Sequence, residues 1–154
     1  MLEHAVRFLG LLCVGLAAGT ALCVLFVERT WTGSGQFYTE YMQLMIRALT
    51  VPAPALGGIG LVAISMDALL LYRRGVGAPF WLEVAALVLS LVALALTRLG
   101  HFPINDQIMS WNPGSPPADW AGVQARWFAL HLARTCAAVG SFVMLLLGNA
   151  WRQA

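Results

Sequence analysis

The side chains best suited to chemistry are concentrated in residues 101–135, a polar and aromatic stretch between two strongly apolar segments. This stretch holds His101 and His131, two of the three histidines of the chain. Histidine titrates near neutral pH, so it can take a proton from a substrate at physiological pH. His131 is the best general base that the sequence offers, and its alternative role is that of a hydrogen-bonded histidine in helix packing.

A helix through this stretch would place polar and aromatic groups on one stripe, because residues three or four apart share a helix face. Within the stripe, Arg134 lies inside an apolar run, where an unpaired arginine costs from about 2.5 to more than 10 kcal/mol. Arg134 must therefore face the protein interior or water, either towards a ligand or as a clasp between helices. Glu28, Glu40 and Asp106 are candidate counter-charges. The stripe consists of Trp120, Gln124, Trp127, His131, Arg134 and Ala138.

Two other readings of these residues bear on the chemistry. A metal could be bound by His101 and His131 with Asp106 or Glu40, but no pair has the spacing typical of a metal site, so we expect none. The tryptophans Trp111, Trp120 and Trp127 could wall a pocket or belong to the aromatic belt at a membrane surface.

The rest of the chain has the composition of a membrane scaffold. Apolar residues make up 60% and charged residues 10%, with a mean hydropathy of +0.76, whereas an average soluble domain is about one quarter charged. Four apolar segments, at 8–27, 51–72, 80–97 and 127–148, are each close to the ~20 residues that cross a bilayer. We expect an all-α integral membrane four-helix bundle forming one domain over residues 1–154, although a cleaved signal peptide is the competing reading of the first segment.

The connecting segments predict where a pocket lies. Residues 37–49 have the apolar spacing of an amphipathic helix, and the prolines and glycines of 52–60 predict an irregular start to the second span, which is tolerated in lipid beside a cavity. A long loop should begin at about Arg98 and form a proline-shaped lid over residues 101–118. Asp119 should then cap the last helix at Trp120.

Charge limits the partners and suggests an orientation. All nine basic residues are arginine and the formal charge is +2, which is too small to indicate a nucleic-acid partner. Arg73 and Arg74 lie in the shortest loop, so the positive-inside rule favours cytoplasmic termini, and we expect a bacterial inner membrane. The partners expected are the lipid bilayer and a small apolar aromatic ligand, and the sequence leaves an oligomer open.

The polar stretch resembles a known family. The sequence reads FPIN at 102–105, WNP at 111–113 and PPADW at 116–120, followed by Arg126-Trp127, His131 and Arg134-Thr135. This pattern is similar to the C-terminal signature of the anthrone oxygenase-like family of small four-helix membrane proteins. A weaker similarity lies at Met42-Gln43. Fungal members are associated with the oxidation of anthrones to anthraquinones.

The resemblance implies a mechanism. The methylene of an anthrone is acidified by its conjugated carbonyl, so a base can form an enolate that reacts with dioxygen, and no cofactor is strictly needed. His131 would take the proton, and Arg134 and Asn105 would stabilise the oxyanion. His101, Gln43 and the tryptophans Trp111, Trp120 and Trp127 would bind the substrate. The alternatives are a non-catalytic protein that binds a quinone or lipid, and a bundle that only organises partner proteins.

Overall fold

The computed structural model describes residues 1–30 and 33–153, and within them the chain is almost entirely helical. The expected all-α membrane bundle is confirmed. The helices in chain order are α1 (Leu2–Arg29), α2 (Gly35–Leu49), α3 (Pro52–Arg74), α4 (Ala78–Ala95), a π-helical turn (Leu96–His101), α5 (Phe102–Met109) and α6 (Trp120–Trp151).

Four helical stretches in the described part of the chain are long and apolar enough to cross a membrane, as the sequence predicted. They are α1, α3, α6 and the continuous stretch Ala78–Met109, which joins α4, the π turn and α5. In the bundle α1 packs against α3 and α6, and α4 packs against the same two helices. The four spans therefore enclose a common interior. We call the end that carries α2 and α5 the outer end.

The second span begins more regularly than the sequence predicted. Pro52 and Pro54 lie in the first turn of α3, where backbone N–H groups have no partner inside the helix, so the missing donors cost nothing. The prediction of a broken backbone is therefore wrong. The prediction of a pocket beside this segment is confirmed, because Pro54 and Gly57 line a cavity.

The third span is longer than predicted, and the loop after it is shorter. The helix continues through the π turn and α5 to Met109. The predictions of a loop from Arg98 and of a lid over residues 101–118 were therefore wrong. In a regular helix the ring of Pro103 would clash with the carbonyl four residues earlier. The wider π turn directly before α5 relieves this crowding, and turns of this kind are frequent at functional sites.

The last helix begins where the sequence placed it. Asp119 is the N-cap residue of α6, as predicted, but its side chain makes no capping hydrogen bond. The predicted amphipathic helix is also present as α2, with Ser34 at its N-cap accepting a hydrogen bond from the Phe37 amide.

An apolar cluster, which we call the roof, closes the outer end of the bundle. Its buried members come from α2, α5, α6 and the loop after α5. Gln43 fastens α2 to α5, because its Nε2 donates to the carbonyls of Ile108 and Trp111 at 3.0 and 2.9 Å. Ile108 lies in the last turn of α5 and Trp111 lies two residues beyond its end, so Gln43 joins α2 to the C-terminal end of α5. The roof consists of Tyr38, Met42, Ile108, Trp111, Val123 and Trp127.

Ion pairs hold the opposite, inner end together. Arg152, just after α6, donates to Asp67 of α3 at 2.8 Å and to Glu83 of α4 at 3.0 Å. The Asp67 and Glu83 side chains are only 3% and 5% exposed. The guanidinium of Arg152 bonds two buried carboxylates and ties three spans together.

Replacing Arg152 with methionine should lower the free energy of unfolding by about 3–5 kcal/mol, because two buried carboxylates lose their counter-charge. The measurement is thermal unfolding of the purified protein in detergent. Arg74→Met is the control, since Arg74 pairs with Glu3 while 66% exposed, and exposed pairs contribute about 0–1 kcal/mol. Equal melting temperatures for the two variants would contradict the role of Arg152.

Candidate functional site

A cavity of about 370 Å³ lies in the outer half of the bundle and is lined by all four spans and by α2. Most of its surface is apolar, which suits a small hydrophobic ligand, and its volume is near the lower end of the roughly 300–1,000 Å³ typical of ligand sites. Its walls also carry a few polar groups. Among them are His101, Asn105 and Arg134, which the sequence singled out, and Trp127 lines the same cavity.

Arg134 reaches this cavity without a carboxylate partner among the described residues. The ion pairs formed by the described residues join Arg74 to Glu3 and Arg152 to Asp67 and Glu83, so none of the expected counter-charges neutralises it there. Its Nη2 donates to Nδ1 of His131 at 2.8 Å. The guanidinium is therefore held in place by a neutral acceptor and keeps its charge available for an anionic group.

His131 is fully buried and holds Arg134 rather than facing the cavity. Because Nδ1 accepts from Arg134, the ring proton must lie on Nε2, which donates to the Ala21 carbonyl at 3.0 Å. Thr135 adds a hydroxyl 3.5 Å from the same Nε2. Both ring nitrogens are engaged, so the geometry does not favour the predicted role of His131 as the base.

Unlike His131, His101 has a ring nitrogen with no hydrogen-bond partner among the described residues. Its Nδ1 lies 3.3 Å from the Leu96 carbonyl, which can only accept, so Nδ1 carries the proton and Nε2 carries the lone pair. Nε2 is buried and has no hydrogen-bond partner among the described residues. The ring lies edge-on to Trp127, with centroids 5.2 Å apart, and Trp127 stacks on His131 at 4.8 Å. Among the described residues, His101 is thus the one of these two imidazoles whose lone pair is not already engaged.

Asn105 is oriented by a tryptophan. The indole Nε1 of Trp127 donates to the Asn105 Oδ1 at 2.9 Å, so the other end of the amide, Nδ2, is left as a donor. Asn105 lies on the first turn of α5, four residues after His101, so the two side chains share a face of the helix. The π turn and α5 thereby place an imidazole and an amide on the wall of the same cavity.

Three residues predicted to bind substrate lie outside the cavity lining. Trp111 is part of the roof, Trp120 packs against Tyr38 with ring centroids 5.8 Å apart, and Gln43 caps α5. They close the outer end of the bundle, and the prediction that they touch substrate has no support in this geometry.

Burial raises the pKa of the roof phenol Tyr38 and of Tyr41 beside it, so both stay protonated and neither can act as the base.

The comparison with known protein families finds a match over more than half of the chain. Residues 41–144 match the family model described as anthrone oxygenase. The chain belongs to the anthrone oxygenase family. The match includes every residue of the candidate site that α4 to α6 supply, whereas α1, whose Ala21 carbonyl holds His131, precedes it. No curated protein and no solved structure matches the chain.

In the part of the chain that the structure describes, the site of this anthrone oxygenase family member has no clustered metal ligands. Within the described residues no group of three or more His, Cys, Asp or Glu side chains could hold a metal ion. His101 and His131 are neighbours, with ring centroids 6.0 Å apart, but both nitrogens of His131 are already engaged. The residues suggested by sequence as metal ligands therefore do not form a set.

Proposed function

We propose that this protein oxidises an anthrone, or a closely related fused-ring phenolic compound, with dioxygen. The observation that carries the proposal is that three residues line one apolar cavity: His101, Asn105 and Arg134. Among the described residues the Nε2 of His101 has no hydrogen-bond partner and Arg134 has no carboxylate partner, and the amide of Asn105 is oriented by Trp127. The family match to anthrone oxygenase supports the same reaction class.

His101 starts the reaction by accepting a proton at Nε2 from the acidified methylene of the substrate. General-base catalysis by a positioned side chain typically contributes about 10²–10⁴-fold. Nε2 is buried and His101 lines the cavity, so the substrate must seat against the imidazole before transfer. Catalytic hydrogen bonds often tighten only when the substrate is bound. The hydrogen bond from Nδ1 to the Leu96 carbonyl keeps the ring in the required tautomer.

Arg134 and Asn105 stabilise the negative charge that moves onto the substrate carbonyl as the proton leaves. A fixed cation and a fixed amide donor act strongly in an apolar site, because little water screens them and no reorganisation is needed. Arg134 is fixed by His131, and Asn105 is fixed by Trp127. His131 and Trp127 are therefore positioning residues.

Dioxygen completes the reaction at the carbon that lost the proton. The electron-rich enolate transfers electrons to dioxygen and forms a carbon–oxygen bond, and a proton returned by His101 gives a hydroperoxide. Loss of water, with removal of the second methylene hydrogen as a proton, leaves a carbonyl. One anthrone and one dioxygen thus give one anthraquinone and one water. The four electrons that reduce dioxygen come from the substrate carbon.

The test is turnover of anthrone and hydroxylated anthrones by protein in lipid nanodiscs, with dioxygen uptake and product measured together. We expect one dioxygen consumed for each anthraquinone, well above spontaneous oxidation, and one labelled oxygen in the product from ¹⁸O₂. Tight binding of anthraquinone without turnover would instead support a non-catalytic quinone-binding protein and would overturn the proposal.

Replacing Trp127 with phenylalanine should lower kcat by up to about tenfold. The aromatic ring is retained, but Asn105 loses the hydrogen bond that fixes its amide, and such a bond contributes about 0.5–1.5 kcal/mol. The measurement is steady-state oxygen uptake. Trp111→Phe is the matched control, because Trp111 lies in the roof and does not line the cavity. Equal kcat values for the two variants would argue against a role for the Trp127 indole.

A further inference from the structure

The cavity reaches the surface between the outer halves of α3 and α4. On one side, Pro54 and Gly57 of α3 line the cavity and are exposed. On the other side, the cavity is lined by two more exposed residues, Leu94 of α4, which is 45% exposed, and Arg98 of the π turn. We call this gap the slot. Residues that are both exposed and part of the cavity wall occur on the two facing helices, so the cavity opens sideways there.

The packing of α3 and α4 explains why the gap lies at the outer end. Their inner ends are joined by the ring contact of Tyr72 with Phe80, whose centroids are 6.0 Å apart, and by Arg152, which bonds both helices. At the outer end Gly57 contributes no side chain, and a Cβ built there meets nothing within 4 Å. The helices are therefore clasped at one end and separated by the cavity at the other.

The slot has an apolar deep end and a polar shallow end. Gly57 and Leu94 lie within apolar spans, whereas Arg98 is one helical turn, about 6 Å, nearer the outer surface. The guanidinium of Arg98 lies 4.8 Å from the centroid of the Phe102 ring, and the exposed Asp106 also lines this part. Such a slot fits a flat fused-ring molecule whose rings lie in lipid and whose hydroxyl or carbonyl edge stays near the membrane surface.

We infer that the substrate is a lipid-dissolved fused-ring phenol that enters through the slot from the bilayer, and that its product leaves the same way. This inference rests on the proposed function for the reaction, but it makes a separate statement about the route. The apolar substrate never has to cross water, and it arrives with its rings already aligned with the spans.

Two pairs of matched variants test the route in phosphatidylcholine nanodiscs. Gly57→Trp is paired with Gly58→Trp, because a Cβ at either position meets nothing within 4 Å but only Gly57 lines the cavity. Leu94→Trp is paired with Leu91→Trp, since these leucines are 45% and 46% exposed and only Leu94 lines the cavity. Each pair adds the same bulk to the same helix, inside or outside the slot.

We expect Gly57→Trp and Leu94→Trp to lower kcat/KM for anthrone by about tenfold or more, with KM expressed as mole fraction in lipid, and their controls to stay within about twofold of wild type. The two slot variants should also slow the association of anthraquinone, followed by quenching of tryptophan fluorescence. A sulfonated anthrone that stays in water should be a poor substrate for the wild-type protein.

Failure of the route and failure of the reaction give different results. If wild-type protein binds anthraquinone but oxidises no anthrone, the proposed function fails, and the association rates of the four variants still decide the route. Equal rates within both pairs would overturn the slot. So would efficient turnover of the sulfonated anthrone, or no association of anthraquinone with wild-type protein.

Discussion

Replacing His101 with alanine should lower kcat/KM for anthrone by about 10²–10⁴-fold, the usual contribution of a positioned general base. His101 lines the cavity, its Nδ1 is turned to the Leu96 carbonyl, and its Nε2 has no partner among the described residues. The measurement is oxygen uptake in nanodiscs, corrected for spontaneous oxidation. Binding of anthraquinone by the variant shows that the cavity is still formed.

Added imidazole distinguishes loss of a base from loss of structure. It should partly restore the activity of His101→Ala, because it can occupy the space of the missing ring beside the substrate. It should not restore His131→Ala, since that change releases Arg134 and removes a donor to the Ala21 carbonyl. Rescue of His131→Ala alone would show that the base is His131. If the Asp106→Asn variant lost activity while the His101→Ala variant stayed fully active, the base would be Asp106, which lines the cavity mouth.

Replacing Arg134 with methionine should lower kcat by about 10²–10³-fold, as the loss of one preorganised donor to an oxyanion does in other enzymes. Its effect on stability should be small. Removing a cation that has no carboxylate partner among the described residues relieves a cost in the membrane interior. The Nδ1 of His131 then loses its donor, and these two effects oppose each other.

Two further variants distinguish the effect of the Arg134 charge on activity from an effect on stability. Arg134→Lys keeps a cation but has one charged nitrogen in place of a planar fork, so it should retain more activity than the methionine variant. Arg152→Met should have a lower melting temperature than Arg134→Met, because it removes the ion pairs of the inner end. At temperatures where it is folded it should keep its activity, because Arg152 lies at the end opposite the site. A large loss of stability in Arg134→Met would mean that Arg134 is a structural clasp.

The fold could be predicted from the sequence because it depends on local patterns. Four apolar runs marked the spans, apolar periodicity marked α2, and Asp119 marked the start of α6. The main error was that the third span was predicted to end at residue 97, whereas its helix continues to Met109. A proline usually disfavours helix at the residue before it, so Pro103 indicated a helix end, whereas the π turn accommodates it within the helix.

The site could be predicted only in part, because its geometry depends on contacts between distant segments. The choice between the two histidines rests on which ring nitrogen is engaged, and the Ala21 carbonyl that engages His131 lies 110 residues away. The bonds of Gln43 to Ile108 and Trp111 join residues 65 and 68 positions apart. The stripe predicted on α6 does face the cavity in part, but of its two tryptophans only Trp127 lines the cavity.

The most direct test of the proposed reaction compares wild-type protein with the double variant His101→Ala, Arg134→Met in nanodiscs containing anthrone. We expect wild-type protein to take up one dioxygen for each anthraquinone formed. We expect the double variant, still able to bind anthraquinone, not to exceed spontaneous oxidation. Uptake by the double variant at the wild-type rate would show that these residues do not carry the reaction, and wild-type uptake at the spontaneous rate would show that this reaction is not catalysed.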